Sequence, residues 1–164
     1  MMMGDCHKMM ENGGMMGDSK QDESSCPMNT IHKLLSHRDE ITRHIKDTPK
    51  GVHTQTFSDS HEINTWIRQH VQSMIELTHS GHRIRDCDGL FHELYENAAN
   101  LNLECHDDDE SGGVQCKFQA EGDCAVGLAQ AHARVVSAFL KNGWDEVHRD
   151  HADMVPDSCF EAST

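Results

Sequence analysis

The sequence predicts a helix-dominated α+β fold: a duplicated α-β-α unit, with four main helices and a two-stranded antiparallel ribbon about a pseudo-twofold axis. Three observations predict it. The run Gly51-Val52-His53-Thr54-Gln55-Thr56-Phe57 returns as Gly113-Val114-Gln115-Cys116-Lys117-Phe118, each followed by an acidic turn and a helical pattern. Val52 and Val114 are 62 positions apart, and so are His70 and His132. The helical stripes after the two runs, Ile63-Ile67-His70-Met74-Leu77 and Ala125-Ala129-His132-Val136-Phe139, share the same alternation of four- and three-residue steps, the signature of an amphipathic helix.

The elements follow in order. Thr30 is positioned to cap a first helix over 30–47, with Ile31, Leu34, Leu35, Ile41 and Ile45 as its stripe. Pro49-Lys50-Gly51 ends it, and a Val/Thr/Phe-rich strand covers 51–57. Ser58-Asp59-Ser60 supplies an N-cap, with Glu62 in the first turn, for a second helix over 59–79 that stops at Ser80-Gly81. Asp86 or Asp88 caps a third helix over 88–104, with Leu90, Phe91, Leu94, Tyr95, Ala98 and Leu101 on one side. An acidic loop over 105–112 leads to a strand over 113–119. Asp123 then caps a fourth helix over 122–141, ended by Asn142-Gly143. The two strands pair with each other, as expected of a duplicated unit or a fused ancestral dimer.

Domain organisation follows from these elements. Residues 1–28 form a Met-rich tail in which Gly, Asn, Ser and Asp deny any periodicity, so disorder is expected. Residues 29–143 form a single duplicated domain, with repeats over about 30–81 and 88–143. Residues 144–164 read as a polar C-terminal tail, with a short helix near Trp144 to Arg149.

Composition excludes several classes. Fourteen Lys+Arg against 28 Asp+Glu give a net charge of -14, the wrong sign for a nucleic-acid or anionic-membrane surface. No apolar run is long enough to span a membrane. An apolar secretory leader is not apparent, so the cytoplasm is expected if Met1 is the true start. Seven cysteines without a C-x-x-C pair fit a reducing compartment better than a disulfide framework. A homo-oligomer or a protein partner remains open.

The residues that carry candidate chemistry are histidines and a methionine. His70 and Met74 sit four apart on one helix, so both project from one face. His132 occupies the matching place in the second repeat, where Val136 replaces Met74. Two imidazoles and a thioether suit copper first and haem second. His37 and His44, seven apart in the first expected helix, edge its stripe and are candidate further ligands. Their counterparts in the second repeat are not histidines, so any site centres on the first half. Glu76-Leu77-Thr78-His79 has di-iron spacing, but Glu76 and His79 lie off the core stripe. Cys124 begins a helix that would activate a thiol, while Glu121 and Asp123 oppose that shift. No P-loop, nucleophile elbow or His-Glu-x-x-His is present.

The stretch from Ile31 to about His151 resembles an uncharacterised family of small bacterial proteins. The likeness is carried by Ile31-His32-Lys33-Leu34-Leu35, Ile67-Arg68-Gln69-His70-Val71-Gln72-Ser73-Met74, Ile84-Arg85-Asp86-Cys87-Asp88-Gly89-Leu90-Phe91 and Ala131-His132-Ala133. It implies a repeated helix-strand-helix unit and a Met/His-rich N-terminus, and no activity. Where the family pattern has Asp-Pro-Leu-Phe, this chain has Asp88-Gly89-Leu90-Phe91.

The expectation is therefore a small soluble metal-binding protein rather than an enzyme. His70, Met74 and His132 are its inner ligands, His37 and His44 support them, and the Met-rich tail supplies or buffers Cu(I). A non-catalytic interaction or regulatory module with structural histidines is the alternative.

Overall fold

Two runs that helical periodicity claims are strands. The computed structural model describes residues 27–161, and the N-terminal Met-rich tail lies almost wholly outside the described residues. The first helix, α1, spans Pro27–Ser36 and ends there. A 3-10 turn at Arg38–Glu40 leads into β1, Ile41–Thr48. β2 follows at Gly51–Ser58, then α2 at His61–His79. The second unit repeats the order: α3 at Gly89–Glu96, a 3-10 turn at Ala98–Asn100, β3 at Leu101–Asp107, β4 at Val114–Ala120 and α4 at Asp123–Asn142. The repeat is therefore α-β-β-α rather than α-β-α. The expected two-stranded ribbon with four helices is replaced by a four-stranded antiparallel sheet, order β1-β2-β4-β3, and six α-helices among the described residues.

The misreading has a physical cause. Ile41 and Ile45 are four apart, which satisfies one helical turn and also two strand alternations. The run between them settles it: Ile41, Arg43 and Ile45 are half-buried, while Thr42, His44 and Lys46 are exposed. That is a period of two. Leu101, Leu103 and Cys105 alternate in the same way with Asn102, Glu104 and His106. The β-branched Ile41, Thr42, Ile45 and Thr48 suit a pleated surface.

The expected central strands do pair, antiparallel, in the middle of the sheet, with Gly51 opposite Gln119 and Thr54 opposite Cys116. Thr54 and Cys116 are themselves separated by the 62 positions that separate His70 from His132. The pseudo-twofold axis thus runs through the Thr54–Cys116 pair, and the two histidines are related across it.

The two long helices use the same face differently. α4 places Ala125, Ala129 and Ala133 toward the sheet, all buried, and packs on Val52 and Phe118. It lies across β1, β2 and β4. The matching positions of α2 are Ile63, Ile67 and Val71, and its main neighbours are α1 and β2. Ser60 caps α2 by accepting from the Ile63 N–H at 3.3 Å, and Asp88 caps α3 by accepting from the Leu90 N–H at 2.9 Å. No helix among the described residues is long and apolar enough to cross a membrane.

Beyond α4 the chain packs back onto the domain instead of trailing as a polar tail. Helices α5 (Trp144–Val147) and α6 (Ser158–Glu161) flank a 3-10 turn at Ala152–Met154. Val155 joins the core of Leu90, Phe91, Leu94 and Leu128. Four cysteines pair: Cys105 with Cys116 across β3 and β4, and Cys124 with Cys159 between α4 and α6. Cys87 is free and exposed.

The central strands approach without side chains at their start. A Cβ on Gly51 would meet the Phe118 carbonyl oxygen at 1.9 Å, and one on Gly113 would meet the Thr56 carbonyl oxygen at 2.0 Å. Gly51→Ala and Gly113→Ala should each destabilise by about 2–3 kcal/mol, from overpacking against rigid backbone. Urea denaturation measures this; a change below about 0.5 kcal/mol, the range of a surface substitution, would contradict the described pairing.

Candidate functional site

A cleft of about 1780 Å³ opens between the helical layer and the inner face of the sheet. Its lining includes Ile67, His70, Val71 and Met74 of α2 and His132, Val136 and Phe139 of α4. The inward residues of the strands, Arg43, Thr54, Cys116 and Phe118 among them, form its floor.

The predicted site residues divide cleanly. His70, Met74 and His132 all line this cleft. His37 and His44 do not. His37 follows the end of α1, with its Nδ1 3.1 Å from Glu40 Oε2 and its ring against Trp66 at 5.2 Å. His44 is exposed on the outer face of β1, its ring 6.0 Å from that of Phe57. A single helix over 30–47 would have put the two on one face; a helix end followed by a strand does not. Among the described residues, no group of three His, Cys, Asp or Glu side chains is gathered as a ready metal cage.

Both cleft imidazoles are neutral at physiological pH. Burial lowers the pKa of His70 from 6.5 to about 4. Burial does the same for His132, to about 4, with the nearby Arg43 charge adding to it. The His132 ring sits edge-on to Phe91 at 5.4 Å and to Phe118 at 5.6 Å. Arg43 is an inward-pointing cation on β1. It donates to Thr56 Oγ1 at 2.8 Å, to Ser137 Oγ at 3.0 Å and to the Ala133 carbonyl at 3.3 Å, so it ties the sheet to α4 beside His132. Burial lowers its pKa to about 10, which leaves it charged.

Three buried side-chain polar atoms among the described residues have no hydrogen-bond partner: His70 Nδ1, His82 Nδ1 and Arg85 Nε. All three residues line the cleft. Buried polar atoms are nearly always paired, and each orphan costs about 1–3 kcal/mol. Their concentration on one cavity marks it as a place where stability yields to another requirement.

One wall of the cleft is held by a charge network that sequence reasoning did not find. His151 is fully buried between two carboxylates, with Nδ1 2.6 Å from Asp88 Oδ2 and Nε2 2.6 Å from Glu146 Oε2. Each ring nitrogen of His151 therefore faces a carboxylate oxygen. Arg85 donates to Asp88 Oδ2 at 2.8 Å and Arg149 to Glu146 Oε2 at 3.1 Å. Burial would raise the pKa of Asp88, but Arg85 and His151 outweigh it and the net shift is downward. His151 and Asn142 hold Glu146 low. The Arg85 guanidinium also lies 5.1 Å from the rings of both Phe91 and Phe139. The only sequence signal was the density of charge in Glu146 to Asp150, which reads by default as a solvated tail.

No protein-family model matches the chain, and comparison with curated proteins and with solved structures finds no similar one.

Two predictions follow from the electrostatics. For each cleft histidine the folded pKa lies below the unfolded value, so the unfolded chain binds the extra proton first. Metal-free protein should therefore lose stability as pH falls from about 6.5 to about 4, by up to about 3 kcal/mol per histidine. A flat denaturation midpoint across that window would show that the rings are solvated. Asp88→Asn removes the charge facing Arg85 and His151 and should cost about 3–5 kcal/mol, whereas Asp153→Asn, in an exposed pair with Arg149, should change little. Equal effects of the two substitutions in thermal denaturation would contradict the buried network.

Proposed function

We propose that the protein binds a metal in the cleft through His70 and His132, with Met74 as a softer third donor and copper as the first candidate. The observation that carries this reading is the pair of desolvated imidazoles, one from each long helix, in the lining of one cleft. Each is already in the neutral form that a metal requires. Met74, one turn from His70, adds a thioether, which favours Cu(I) over harder cations. Net charge -14 supports cation capture at long range. The two disulfides favour a compartment where they persist, against the cytoplasmic expectation.

Haem is the second reading, favoured by the size of the cleft. A bare ion needs little of about 1780 Å³, whereas an apolar macrocycle with two axial imidazoles would use it.

Anaerobic titration of the full chain with Cu(I) against a chromophoric chelator should show a tight site. His70→Ala and His132→Ala should each weaken that site at least about 10-fold, while His44→Ala leaves it unchanged. Binding indifferent to His70 and His132 would refute the reading. A Soret band on adding haem, lost in the same two variants, would select the second.

A further inference from the structure

The loop between α2 and α3 carries two of the cleft's three orphaned atoms, His82 Nδ1 and Arg85 Nε. The two make different demands. A neutral imidazole can leave Nδ1 as a bare nitrogen by keeping its proton on Nε2, so a histidine orphan specifies no partner. A guanidinium Nε always carries a hydrogen, so Arg85 leaves a donor that only an acceptor can satisfy. The rest of this guanidinium is fixed. Its Nη1 donates to the Val147 carbonyl at 2.8 Å, and its Nη2 to Asp88 Oδ2 at 2.8 Å and to the Arg149 carbonyl at 3.1 Å. The rings of Phe91 and Phe139 each lie 5.1 Å from it. Its backbone is strained as well: Arg85 is the one non-glycine residue with positive φ, 61°, among the described residues. A side chain held this firmly on a strained backbone, with one donor unsatisfied, is a preorganised hydrogen-bond site.

The cavity around Arg85 selects the rest of the ligand. Apolar side chains such as Ile75, Ile84, Leu94, Val136 and Leu140 line the same cleft. Its volume of about 1780 Å³ exceeds the roughly 300–1,000 Å³ usual for small-molecule sites. Charge is not what Arg85 lacks, because Asp88 already faces it, and Glu146 lies beyond His151. A further carboxylate would be repelled by Asp88 and by the chain's net charge of -14. We propose that the cleft binds a neutral, largely apolar organic molecule whose carbonyl-type oxygen accepts a hydrogen bond from Arg85 Nε. The apolar body is buried among the cleft's aliphatic side chains, and the single charge-assisted hydrogen bond sets its direction. This ligand does not depend on the metal reading, since it engages neither His70 nor His132.

The test uses the metal-free full chain at neutral pH, with N-phenyl-1-naphthylamine as a neutral apolar dye that has no oxygen acceptor and nonan-2-one as its competitor. The ketone should displace the dye. Arg85→Lys keeps a cation facing Asp88 but lacks Nε, so it should weaken ketone binding about 10-fold and leave the dye's own affinity unchanged. Equal loss for ketone and dye, or no loss for the ketone, overturns the proposal. So does tighter binding of nonanoate than of nonan-2-one, which would mark an anion site instead. Should Arg85→Lys not fold, infrared spectroscopy of carbonyl-13C nonan-2-one with the unsubstituted chain in excess decides. The bound carbonyl stretch should fall below that of the ketone in hexane, and a hexane-like stretch, or no bound ketone, overturns the proposal. Cu(I) binding by His70→Ala and His132→Ala is read separately, so failure of either reading leaves the other standing.

Discussion

The antiparallel register of β2 against β4 is the constraint on which the rest of this molecule depends. Thr54 faces Cys116, and because that pair matches the repeat offset, the two units are related by rotation about it. A slip of one residue would send the inward side chains of one of the two strands, Thr54 and Thr56 or Cys116 and Phe118, to the outer face of the sheet. The middle of the cleft floor would be broken. Gly51 and Gly113, at equivalent places beside these strands, hold the register by permitting an approach that any Cβ would block.

The α-β-β-α order occurs twice, and the two long helices bury different residues, Ala125, Ala129 and Ala133 on α4 and Ile63 and Ile67 on α2. His70, His82 and Arg85, which carry the orphaned polar atoms, line the same cleft as His132. The Asp88–His151–Glu146 network then fixes the far wall, joining the N-cap of α3 to the chain beyond α4. Its charges are mutually satisfied, so it reads as a brace rather than as a reactive centre.

The strongest local signals in the sequence corresponded to real elements. The Val/Thr/Phe runs are the central strands, the Ser60 cap begins α2, and Asn142-Gly143 ends α4. β1 and β3 were not legible, because Ile41–Ile45 and Ala98–Leu101 spacings fit a helix as well as the adjoining helical turns do. Arg43 added to the confusion: a cation at an inward strand position looks like the polar side of a helix until its partners Thr56, Ala133 and Ser137 are known. Of the candidate ligands, His70, Met74 and His132 lie on long helices and line one cleft, whereas His37 and His44 depended on the mistaken helix. The disulfides and the buried His151 were invisible for one reason. Cys124–Cys159 and His151–Asp88 join residues distant in sequence, and nothing local distinguishes a paired cysteine or a buried charge from an exposed one.

The central claim is that His70 and His132 act together on one metal. Ring-nitrogen NMR of protein labelled with 15N-histidine, assigned by single His→Gln substitutions and followed during addition of Cu(I), tests this most directly. The account predicts that the ring nitrogens of His70 and His132 move together with the same stoichiometry, while those of exposed His44 and His53 stay in place. Movement of only one of the pair, or movement confined to histidines outside the cleft, would contradict it.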